Sequence, residues 1–90
     1  MDRAYYEEIA GELRGLLIRV DNRLAQEDAK LIAEFIDANE LGLALEQMAD
    51  VLSEDERPLD SAERADMLAL ASRMRMGERV PRALEFCPEL

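Results

Sequence analysis

The chain has 90 residues, 49% hydrophobic and 36% charged, with a formal charge of −10, one cysteine and no histidine. That apolar content suits one cored domain and is too high for a disordered acidic tail. Without histidine the commonest general base and the usual zinc ligand are gone, and Cys87 alone makes no internal disulfide.

Leu, Ala, Glu, Arg and Met dominate, while Thr and Trp are absent. The expected fold is therefore all-α: a compact, irregular four-helix bundle over residues 1–90 with a short C-terminal tail or turn. Tyr5, Tyr6, Ile9, Leu13, Leu16, Leu17 and Val20 recur at spacings of three and four. They predict a first helix over about residues 3–20. Asp2 is its expected N-cap. Gly11 and Gly15 share one side, where a neighbouring helix could approach closely.

A break at Asp21-Asn22 leads to a second helix, about residues 25–38, with Leu31, Ile32, Phe35 and Ile36 inside. Glu27, Glu34 and Asp37 share its opposite face. Asn39 suits a left-handed turn. The third helix, about 40–53, turns Leu41, Ala44, Leu45, Met48, Ala49 and Leu52 inward. Glu46, Gln47, Asp50 and Glu54 are its expected wet face, with Leu43 at the edge. Residues 54–60 (EDERPLD) form a charged loop with Pro58. Asp60 with Glu63 reads as a capping box for a fourth helix, about 61–76, which should end at Gly77. The remaining VPRALEFCPEL holds two prolines and predicts at most a turn near Ala83–Phe86.

The negative charge is concentrated in the middle. Residues 27–66 carry 13 acids and three bases, and so account for −10; residues 1–26 net −1 and residues 67–90 net +1. Such a field favours a basic partner and disfavours direct nucleic-acid or membrane contact. The N-terminus has no basic stretch followed by an apolar run, and no uncharged segment reaches the roughly 18–20 residues of a span. The expected location is cytoplasmic.

Catalytic signatures are missing. No serine has a basic partner at a useful spacing, and no phosphate-binding glycine loop is present. SEDE (Ser53 to Glu56) lacks the alternating ligands and glycine of a calcium loop. Cys87, between Phe86 and Pro88, reads as a packed thiol. No enzyme activity, metal or cofactor is expected. The chain reads as a binding protein.

The stretch EFIDANELGLALEQMADVL (Glu34 to Leu52) resembles the core signature of MafI-type immunity proteins, small antidotes to bacterial polymorphic toxins. The matching residues are Phe35, Ile36, Asp37, Glu40, Gly42, Ala44, Leu45, Glu46 and Asp50. The RMGE segment from Arg75 to Glu78 also fits that family's layout, and the resemblance covers roughly residues 13–78. It implies one-to-one inhibition of a cognate toxin domain, often a nuclease.

The expected contact surface is the outer side of helices two and three with the charged loop: Glu34, Asp37, Glu46, Asp50, Glu54, Asp55 and Glu56. Asp37 and Glu40 are also candidates for capping at the Asn39 corner, and Gly42 for close packing there. The alternative is an acidic adaptor or regulator that binds a basic protein. The oligomeric state is left open.

Overall fold

A computed structural model describes residues 3–90. Five α-helices follow one another: α1 Arg3–Val20, α2 Gln26–Asp37, α3 Leu41–Glu54, α4 Ser61–Arg73 and α5 Arg79–Leu84, with a 3₁₀ turn at Asp21–Arg23. The four long helices match the sequence expectation to within three residues at every end. The N-cap expected at Asp2 lies outside the described residues.

The helix α3 is the axis of the molecule. Its sequence LGLALEQMADVLSE is apolar on more than one side, and Leu41, Ala44, Leu45, Met48, Ala49, Val51 and Leu52 are all buried. One neighbouring helix cannot cover such a surface, so α3 packs against all four of the others. Ile9, Leu13, Leu16 and Val20 of α1 meet it, with Ile32 and Ile36 of α2 and Met67, Leu70 and Ala71 of α4. Leu31, expected inside, is instead 37% exposed, because Ile32, Phe35 and Ile36 already cover the α3 contact.

The C-terminal segment does more than the sequence suggested. It forms α5, with Pro81 in the first turn, where no intrahelical N–H bond is lost. Val80, Leu84 and Cys87 enter the core. Beyond α5, the Leu59 N–H donates to the Pro88 carbonyl at 2.9 Å, and the Leu90 N–H donates to the Leu59 carbonyl at 3.0 Å. These bonds fasten the tail beside the loop that holds Pro58. Arg64 donates to the carbonyls of Leu84 and Cys87, both at 2.6 Å. Its charge so satisfies the exposed carbonyls at the end of α5. Burial pushes the Cys87 thiol up, with Arg64 opposing, so the thiol is packed and protonated.

Three helices end in the same way. Asn39, Glu56 and Arg75 have φ of 60°, 48° and 55°. In each case the next residue's N–H returns to the carbonyl five residues earlier: Glu40 to Phe35, Arg57 to Leu52 and Met76 to Ala71. This is the left-handed helix stop usually given to glycine. Asn39 was the expected site; Arg75, not Gly77, ends α4. Stopping there lets Met76 turn back against the core.

The glycines carry a second correction. A Cβ on Gly11 or Gly15 would meet nothing within 4 Å, and on Gly42 only Met76 Cε at 4.0 Å. No helix approaches closely at Gly11 or Gly15, and the Asn39 corner does not require a glycine at 42.

The expected capping box is present. The Glu63 N–H donates to Asp60 Oδ1 at 2.7 Å, and the Asp60 N–H donates to Glu63 Oε1 at 3.0 Å. Glu63 is also 97% buried, as its 3% exposure shows, and is held by both guanidinium nitrogens of Arg23 at 2.7 and 2.8 Å. Arg23 adds bonds to the carbonyls of Pro58 and Arg19. One ion pair thus joins the 3₁₀ turn, the loop and the start of α4. The Arg23 hydrogen bonds hold the Glu63 carboxyl below the usual glutamate range, against the opposing effect of burial.

Three outcomes follow from these features. Glu63→Gln leaves Arg23 buried without a counter-charge and should lower stability by about 3–5 kcal/mol, read as a fall in Tm. Because the folded Glu63 pKa is depressed, its contribution is complete above the ordinary glutamate range. It should vanish as pH falls through and below that range, so the wild-type and Glu63→Gln melting curves should converge in acid. Gly11→Ala and Gly15→Ala should each add about 0.8–1 kcal/mol, read from the urea midpoint; a loss at either would mean an unseen packing role. Glu56→Gly should add about 0.5–1 kcal/mol by relieving the left-handed backbone.

Candidate functional site

The acidic residues singled out in the sequence do not form one surface. Glu34 and Asp37 are exposed near the end of α2, and Asp37 pairs with Arg14 at 3.0 Å. Glu46 and Asp50 are half-buried, because α5 lies over that side of α3. Arg79 of α5 donates to Asp50 Oδ2 at 2.6 Å, with Glu46 3.9 Å away. The part of the expected wet face at Glu46 and Asp50 therefore lies against α5, and these two carboxylates pair with it beside the core contacts of Val80 and Leu84. Glu54, Asp55 and Glu56 are exposed at the far end of α3. That end is about 20 Å from the Asn39 corner by helix rise alone.

The pairing of the bases explains what remains free. Arg3, Arg14, Arg19, Arg23, Arg64, Arg73, Arg79 and Arg82 all take part in ion pairs within the chain. The arginines near the end of the sequence are dispersed: Arg73 goes to Glu8 and Glu12, Arg79 to Asp50 and Arg82 to Glu78, while Arg75 has no ion-pair partner among the described residues. Among the described residues, Glu34, Glu54, Asp55 and Glu56 have no ion-pair partner. Neither do Glu27 and Asp28 at the start of α2, nor Asp21, Glu40 and Glu85, all of which the sequence reading left off the contact surface. Only tertiary structure decides which acids an arginine reaches, so no local signal marked them.

A cleft lies elsewhere, at the α2–α3 corner. Its volume is about 700 Å³. Tyr6 and Ile9 of α1, Leu41 and Gly42 of α3, and Met74 and Met76 after α4 form its walls. Tyr5 steadies one side. Its hydroxyl donates to the Arg73 carbonyl at 2.9 Å, and its ring meets Tyr6 edge-on at 5.6 Å. The Arg73 guanidinium lies 6.0 Å from the Tyr5 ring centre and donates to Glu8 and Glu12 at 2.9 and 2.7 Å. Those carboxylates raise the Arg73 pKa further, so it stays charged. Sequence reasoning missed this site, since its walls come from three separated segments. The resembling motif does place Glu40 and Gly42 on its edge.

Among the described residues, no three Cys, Asp or Glu side chains converge as a metal-ligand set. No helix of the described residues is long and apolar enough to cross a membrane. No protein-family model, curated protein or solved structure matches the chain.

Proposed function

We propose that this protein is an immunity protein that captures and neutralises a bacterial toxin domain with a basic surface, with nucleases the class suggested by the resemblance. The observation that carries this reading is the set of acids left over after internal pairing. Glu34 on α2 and Glu54, Asp55 and Glu56 at the end of α3 are exposed and uncompensated. Glu27 belongs with them. Glu46 and Asp50 do not, because they are half-buried against α5 and Arg79 pairs with Asp50 and lies near Glu46.

A basic toxin site that holds phosphate would be drawn to these free carboxylates and have its charge masked by them. Steering of this kind speeds encounter, which favours an antidote that must act before its target does. Affinity would rest on a few buried anchors within that acidic frame.

Co-expression with any toxin domain found encoded beside this chain tests the reading. The wild-type chain should restore growth, and failure to do so rules the proposal out. Replacing Glu54, Asp55 and Glu56 together by lysine should slow association about tenfold or more at low salt and flatten its salt dependence. Lysine at Glu46 and Asp50 should instead lower Tm by releasing α5.

A further inference from the structure

We propose that the cleft at the α2–α3 corner binds a segment of a protein partner in which an apolar side chain is flanked by a cation and a carboxylate. This rests on reading the chain as a protein-binding module, and not on the partner being a toxin.

Three charges line the cleft, and with Arg73 taken by Glu8 and Glu12 the two left are opposite, Glu40 and Arg75. Both are exposed, and neither has an ion pair with the other or with any described residue. Elsewhere the chain pairs its arginines thoroughly; Lys30, Arg57 and Arg75 are the only bases among the described residues without a partner. An acid and a base that share a cleft unpaired can each receive the opposite charge from a ligand. Tyr6, Leu41, Met74 and Met76 line the same cleft. Methionine and tyrosine walls adapt to an inserted apolar side chain.

Two locally costly choices border the same space. Gly42 sits in the first turn of α3 without a packing reason, since a Cβ there meets only Met76 Cε at 4.0 Å. It leaves that wall low and open. Arg75 holds a left-handed φ of 55°, a conformation that favours glycine. The wall behind Tyr5 is already fixed by Arg73, Glu8 and Glu12, so little ordering is left for binding to accomplish. A cleft of about 700 Å³ exceeds a single side chain and suits an anchor with its flanking residues.

The test is an amide-spectrum titration with three end-blocked tripeptides: Lys-Phe-Glu, Glu-Phe-Lys and the uncharged Gln-Phe-Gln. One charged order should move the Gly42 and Met74–Met76 signals saturably and bind about tenfold tighter than the uncharged peptide. Glu40→Gln and Arg75→Gln should each erase that advantage. Gly42→Leu, which fills the cleft, should abolish binding of all three while a thermal melt shows the fold retained. Equal binding of charged and uncharged peptides, or shifts located away from the cleft, overturns the proposal. So does free L-phenylalanine binding as tightly as the better peptide, which would make this a small-molecule site. No toxin enters this experiment. Peptide binding without toxin protection defeats the immunity reading alone, and protection without peptide binding defeats this one alone.

Discussion

The burial of α3 on more than one side is the constraint from which the rest follows. A helix carrying Leu41, Leu45, Met48, Val51 and Leu52 around its circumference must be wrapped, and four helices wrap it. The demand exceeds what α1, α2 and α4 supply, so the C-terminal segment folds as α5 and closes the remaining side. Closing that side brings Glu46 and Asp50 against another helix. Their charge is tolerable there because Arg79 arrives with α5 and answers both. The wrapping of one apolar helix thus half-buries two carboxylates against α5.

Arginine pairing shapes the field in the same way. Arg23 is consumed by Glu63, Arg64 by the end of α5 and by Glu89, and Arg73 by Tyr5, Glu8 and Glu12. Most of these pairs are partly exposed and contribute little stability each, but the Arg23–Glu63 pair is buried and bidentate and holds a junction. Their combined effect on function is subtractive. Positive charge is drawn into structural joints, and the uncompensated acids are concentrated on α2 and at the end of α3. The net charge of −10 becomes a pattern only through this sorting.

The α2–α3 corner shows the two levels meeting. The turn itself is local: Asn39 takes the left-handed position, and Glu40 and Gly42 begin the next helix. The cleft beside it is not local. Tyr6 comes from α1 and Met74, Arg75 and Met76 from the end of α4, and their meeting depends on how α1 and α4 pack. That the left-handed stop after α4 falls at Arg75 rather than at Gly77 sets this wall.

The sequence by itself determined the helices. Apolar spacings of three and four marked α1 to α3, the Asp60–Glu63 box marked the start of α4, and Asn39 marked the turn before α3, because these signals act within a few residues. It also determined the acidic bias and the want of histidine chemistry. Only the tertiary structure decided that Leu31 stays at the surface and that Gly11 and Gly15 face open space. It alone decided that Asp50 is neutralised while Glu54 is free. Those outcomes turn on which helix covers which face, and an arginine more than twenty residues away in sequence selects its carboxylate only once the chain has packed.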